Sequence, residues 1–121
     1  DFVLTQQVLV NLLDNAAKYA PPGTRIRIRG ATEDDNVLIE VLDEGPGIPP
    51  EALDRIFDKF YRVRHEDRQR AGTGLGLAIC QGFMQALGGS IAAGNRTDRP
   101  GAVFTLTLPA PRDRASLETA A

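Results

Sequence analysis

The chain of 121 residues has no tryptophan and only one cysteine, one methionine and one histidine. A lone Cys80 cannot close an internal disulfide, and it stands in an apolar helical pattern, so it reads as a small buried hydrophobe in a protein of a reducing compartment. No apolar run approaches the roughly 20 residues that a bilayer-spanning helix needs. The opening "DFVLTQQ" lacks the basic and apolar regions of a signal peptide and contains no initiating Met. It starts inside a helical pattern, as expected of a piece of a longer protein. A strong charge of either sign is also missing: 14 Lys and Arg against 16 Asp and Glu give a net charge of -2. That excludes a global field suited to nucleic acid or an anionic membrane, so any anion site must be local. No internal repeat is present. What is there, 42% hydrophobic and 25% charged residues, is ordinary globular composition for one domain.

Periodicity supplies the elements. From Leu4 to Tyr19, Leu9, Leu12, Leu13, Ala16 and Ala17 recur at helical spacing until Pro21, Pro22 and Gly23 stop the pattern. "TRIRIRG" and "NVLIEVLD" alternate as strands, with Ile26, Ile28, Val37, Ile39 and Val41 facing inward and "TEDDN" making the hairpin. "EGPGIPP" is too rich in Gly and Pro for an element interior, and it leads into an expected short helix, "EALDRIF". Asp58 to Gly72 has no period and reads as a long loop, a kind of segment that is usually functional. Leu75, Ile79, Phe83 and Leu87 then mark a second amphipathic helix ended by Gly88 and Gly89. "SIAAG" and "AVFTLTL" close the fold as strands, the latter with Phe104, Leu106 and Leu108 inward. The expected architecture is a two-layer α/β sandwich, with helices on one face of a mixed, largely antiparallel sheet, covering residues 1–109 and followed by a frayed tail over 110–121.

Several residues could carry chemistry. On the first helix Asn11, Asn15 and Lys18 fall in one stripe with Leu9, Leu13 and Ala16 roughly opposite, so the stripe is expected to face away from the core. A solvated face explains one Asn, but two such poor helix formers one turn apart ask for more. An Asn carbonyl suits a Mg²⁺ that already carries phosphates, and Lys18 would add a point charge. Asp43 ends a strand before Gly45, Pro46 and Gly47. It is either a turn-initiating Asp or an acceptor for an exocyclic amine of a base, with the glycines letting that base approach. Gly72, Gly74 and Gly76 precede the second helix, where a glycine hinge and a phosphate cradle are equally good readings. The spacing is neither a dinucleotide fingerprint nor a P-loop. Arg62, Arg64, Arg68 and Arg70, against Glu66 and Asp67, are solvated loop charges or a clamp over phosphates. His65 sits in "RVRHEDRQRAG" with no apolar helical face and reads as a solvated loop residue rather than a phosphoacceptor.

Together, "NLLDNAAKY", "DEGPGIP", "FDKFYR", "GTGLGL" and "ALGG" resemble, in order, the N, G1, F, G2 and G3 boxes of the catalytic ATP-binding domain of sensor histidine kinases. The stretch "GGSIAAGNRTDRPGAVFTLTLP" is further similar to the potassium-responsive branch of those kinases. The resemblance implies an ATP and Mg²⁺ pocket between the helices on the sheet face. It makes Asn15 the Mg²⁺ ligand with Asn11 supporting, puts Lys18 and Arg62 on phosphates, packs Tyr19 on the adenine and gives its amino group to Asp43. Gly45 and Gly47 would shape the base end, while Gly72, Gly74 and Gly76 cradle phosphates under a lid spanning roughly Phe60 to Ala71, anchored by Phe57 and Phe60. Ile48, Thr73, Leu75 and Leu77 complete the implied ATP-binding set.

One departure bears on the reaction. Related gyrase, chaperone and mismatch-repair ATPases carry a general-base Glu one turn before the metal-binding Asn, where this chain has Asn11. An amide takes no proton, so ATP would be bound yet poorly hydrolysed, and the phosphoryl group would go to a histidine on another domain. The resemblance also implies a dimerisation and phosphoacceptor domain and a response regulator as partners, and a cytoplasmic position in a kinase anchored in the inner membrane. A self-sufficient ATPase and a non-catalytic nucleotide-sensing module stand as alternatives.

Overall fold

The structure, a computed structural model, describes residues 2–58 and 76–110. The chain runs through α1 (Phe2–Tyr19), β1 (Arg27–Glu33), β2 (Asn36–Leu42), a 3₁₀ turn (Pro50–Ala52), α2 (Gly76–Ala86), β3 (Ser90–Asn95) and β4 (Ala102–Pro109). The strands form one sheet in the order β1-β2-β4-β3 with every pairing antiparallel. Both helices lie on the same face, as expected of a two-layer sandwich.

The core is the seam between layers. Val8, Leu12 and Ala16 of α1, Cys80 and Met84 of α2, and Val41, Ala102, Phe104 and Leu106 of the sheet are all buried. Alternation on β4 is as the sequence predicts, with Thr105 and Thr107 on the opposite face. Fully buried Leu106 lies on a central strand, where deleting its side chain costs about 2–5 kcal/mol.

Both helices are turned relative to the expected phase. On α1 the fully buried stripe is Val8, Leu12 and Ala16, with Leu9 and Leu13 half-buried and Ala17 exposed. Asn11 and Asn15 therefore flank the core stripe rather than oppose it, and both are half-buried, while Lys18 is exposed. On α2 the buried residues are Cys80 and Met84, and Ile79 is 43% exposed. Counting Leu and Ile alone rotates the apolar face, because the small Cys and flexible Met fill the centre of the seam.

α2 ends in a Schellman motif: Gly89 N–H reaches Met84 O at 2.8 Å, Gly88 N–H reaches Gln85 O at 3.1 Å, and Gly88 takes φ +76°. The expected short helix over "EALDRIF" is instead the 3₁₀ turn followed by irregular turns. β1 is exposed along its whole length. Ile28 points to the helix layer opposite buried Val41, yet it is 51% exposed because β1 is the sheet edge. The β1–β2 hairpin closes through Asp34, at φ +54°, and Asp35, whose carbonyl holds Ala110 N–H at 2.7 Å.

Candidate functional site

The convergence of sequence candidates occurs where β2 runs out at Leu42. Asp43 is 6% exposed and is the one buried acidic residue among those described. Its backbone N–H donates to Ala102 O at 3.1 Å, while Ala102 N–H returns a bond to Asp43 Oδ1 at 3.0 Å. Gly45 N–H donates to the same oxygen at 2.9 Å. Two backbone donors on one carboxylate oxygen fix the plane of the group. The other oxygen, Oδ2, takes no bond among the described residues, and no described side-chain polar atom is both buried and unpaired. Among the described residues Oδ2 is therefore an acceptor left over at the edge of the core, suited to an N–H donor on a ligand.

The end of α1 closes on this carboxylate. A Cβ at Gly45 would stand 3.0 Å from Tyr19 O and 3.4 Å from Asp43 Oδ1, so the glycine lets the loop press against the helix terminus. Half-buried Tyr19 and exposed Lys18 occupy that last turn, and half-buried Asn15 precedes them by one turn. An Asn carbonyl there is a neutral oxygen ligand of the kind that Mg²⁺ accepts, and Lys18 supplies positive charge beside it. Half-buried Ile48 and Phe57 pack on the core, with the Phe57 ring edge-on to Phe104 at 6.5 Å and 89°.

Asn11 faces α2. The Cys80 thiol donates to Val8 O at 3.8 Å, and burial, opposed by the nearby Asn11 side chain, pushes it up to about 11. The polar flank of α1 thus lies beside the helix that follows the glycine-rich segment. Gly76 and Leu77 open α2, the former exposed and the latter half-buried. Phe60, Arg62, Gly72, Thr73, Gly74 and Leu75, together with the expected lid and the tail beyond Ala110, lie outside the described residues.

The β3–β4 hairpin, which carries none of the candidate site residues expected from the sequence, braces the whole site. Asn95 Nδ2 donates to Ile48 O at 2.8 Å, and Ile48 N–H donates to Asn95 Oδ1 at 2.6 Å. The room that Gly47 leaves, at φ +83°, is taken by Asn95: a Cβ there would lie 2.7 Å from its Oδ1. Arg96, its side chain only 4% exposed, donates to Asp43 O at 3.1 Å and forks onto Asp98 at 3.0 and 2.9 Å. That bidentate pair holds the Asp98 carboxyl down at about 2. Arg99 bridges Asp98 and Glu44, both at 3.4 Å. Gly101, at φ +147°, packs against the Asp43 carbonyl so closely that any Cβ would overlap it. An Asn followed by "RTDRPG" looks like turn chemistry alone, and only the pairing of β3 with β4 brings these side chains to Asp43.

Comparison with known proteins identifies relatives of the chain. The sequence pattern described as "Histidine kinase-, DNA gyrase B-, and HSP90-like ATPase" matches residues 1–112. The chain is 46% identical over 109 residues to the sensor protein KdpD of Escherichia coli, covering 90% of this chain and 12% of that protein. It is 41% identical over 106 residues to the sensor protein SrrB of Staphylococcus aureus, covering 87% of this chain and 18% of that protein. It thus spans a small part of the relatives it matches. Among solved structures, the mycobacterial sensor histidine kinase MprB superposes with a TM-score of 0.80 at 33% identity, covering 90% of this chain and 74% of the other. Full-length ShkA in complex with AMPPNP superposes with a TM-score of 0.74 at 33% identity, covering 88% and 21%.

Proposed function

The chain belongs to the histidine kinase-, DNA gyrase B- and HSP90-like ATPase family, and on that premise we propose that it is the ATP-binding catalytic domain of a sensor histidine kinase. It binds ATP with Mg²⁺ and presents the γ-phosphoryl group to a histidine on a separate dimerisation and phosphoacceptor domain. Asp43 is the observation that carries the reading: a buried carboxylate whose Oδ1 is occupied by two backbone donors and whose Oδ2 has no partner among the described residues. An acceptor-only group fixed in this way takes the exocyclic amine of adenine and disfavours a carbonyl in its place.

The remaining residues divide the triphosphate between them. Asn15 would hold the Mg²⁺, with Lys18 beside it, and the ion would neutralise charge on the phosphates. Tyr19 packs along the base. Gly76 opens α2, and Gly72, Gly74 and Gly76 would cradle the phosphates, by the family resemblance. On transfer, the bond from the γ-phosphorus to the ADP oxygen breaks as a bond to an imidazole nitrogen forms, and orientation by these residues supplies most of the catalysis.

Asn11 favours this reading over a self-sufficient ATPase. Its amide is not a base. The full-length protein would be a membrane-anchored, potassium-responsive sensor that passes the phosphoryl group to a response regulator, by similarity to KdpD proteins. The test is to mix the chain with the separately prepared phosphoacceptor domain, ATP and Mg²⁺. Phosphohistidine should form. Steady phosphate release by the chain alone, abolished by Asn15→Ala, would contradict the proposal, and ATP binding without any phosphohistidine would favour a sensing module.

A further inference from the structure

Asn95 ends β3, is exposed to solvent and has no role in the reading above, yet it makes both of its side-chain hydrogen bonds to the backbone of a single residue, Ile48. Its strand partner across the ladder is Ala102, and Ala102 exchanges two bonds with Asp43. One rung of the sheet, Asn95 with Ala102, therefore grips the segment from Asp43 to Ile48 at both ends. Between those grips the segment has no helix or strand of its own. Its single internal tie to the carboxylate is Gly45 N–H on Asp43 Oδ1.

From this arrangement we propose that Asn95 is a positioning residue for nucleotide-base recognition, acting through the Asp43–Ile48 loop on the direction of Asp43 Oδ2. The inference rests on the reading of Asp43 as the adenine acceptor. Two donors hold Oδ1, one from β4 and one from the loop. The β4 donor is secured by the sheet. The loop donor is secured only as far as the loop is, and Asn95 closes the loop's far end. When that clamp is lost, Ile48 N–H and C=O turn to water, Gly45 gains freedom, and the carboxylate keeps one anchor about which it can rotate. The φ of +83° at Gly47, with Asn95 Oδ1 filling the place of a side chain, shows that loop and amide are fitted to each other. Because Asn95 is exposed, its removal leaves no buried void and little reason for the fold to fail.

The experiment titrates the chain, Asn95→Ala and Asn95→Asp with ATP and with the triphosphate of purine riboside, which lacks the 6-amino group. Asn95→Asp keeps the shape but puts an oxygen against Ile48 O. The wild type should prefer ATP. Each variant should bind ATP about tenfold more weakly and the purine riboside triphosphate less than about twofold more weakly, the loss being one charge-assisted hydrogen bond to the base. Leu106→Ala serves as the control, since it destabilises the core and should leave the preference intact. Equal weakening of both nucleotides by the Asn95 variants, or an unchanged preference, would overturn the inference while leaving Asp43 as the acceptor. A wild type that binds ATP without preference, or not at all, would overturn the Asp43 reading and the inference with it.

Discussion

Replacing Asp43 by Asn and by Ala separates its two jobs. In Asp43→Asn the amide oxygen can stay where Oδ1 is, accepting from Gly45 and Ala102, while an NH₂ replaces Oδ2. The fold should survive with a loss of about 1 kcal/mol, because hydrogen bonds to a neutral acceptor are about half as strong as those to a charged one. Adenine binding should suffer more. The lost charge-assisted bond is worth about 1.5–3 kcal/mol, or roughly 10- to 150-fold in affinity, before any repulsion between two facing donors. Asp43→Ala strips the acceptor from two N–H groups at a position only 6% exposed, at about 1–3 kcal/mol each, so stability should drop by about 2–6 kcal/mol together with binding. Urea denaturation gives the stability of each variant and calorimetric titration gives its ATP affinity. The reasoning is refuted if Asp43→Asn binds ATP like the wild type, or if it is as unstable as Asp43→Ala.

Other consequences follow from the same geometry. Gly101→Ala would drive a Cβ into the Asp43 carbonyl at φ +147°, so it should cost about 3 kcal/mol or more in a denaturation experiment, far above an ordinary surface Gly→Ala change. The Cys80 thiol, pushed up to about 11, should resist alkylation at neutral pH until the chain unfolds. Its folded value lies above the ordinary 9.0, so its share of stability is intact below about pH 9 and is lost as pH rises toward 11, which denaturation across that range will read. Asp98 titrates in the opposite sense: held at about 2 by Arg96 against an ordinary 3.8, its contribution is present above pH 4 and disappears as pH falls through 2. Carboxyl NMR shifts followed from pH 5 to 1.5 should place that midpoint near 2 and, in Arg96→Ala, return it toward 3.8.

How far the sequence reveals the fold and site depends on the range of the interactions concerned. The strand alternation of "NVLIEVLD" and "AVFTLTL" and the Gly88–Gly89 stop are local facts, and the sheet and the Schellman cap match them. The phases of the helices are set by which face meets the other layer. Cys80 and Met84 win the seam over Ile79, and Val8 joins a stripe that Leu-counting misses. Ile28 has the right parity for the core, but edge position leaves it half in water, which no pattern within β1 can show. At the site, Asp43 and the glycines around it stand out in sequence as a strand-end turn, and the structure adds that the Asp43 carboxylate is buried and held by two backbone donors. Asn95, Arg96 and Gly101 are not, because each acts across the sheet on a segment some 50 residues earlier in the chain.

The central claim is that the Asp43 carboxylate, the end of α1 and the start of α2 together hold ATP with its metal. Calorimetric titration of the chain with ATP, with and without Mg²⁺, tests it most directly. The account predicts one nucleotide per chain, tighter with Mg²⁺, and loss of that Mg²⁺ dependence in Asn15→Ala. Absence of binding by the folded wild-type chain, or binding indifferent to Mg²⁺, would contradict it.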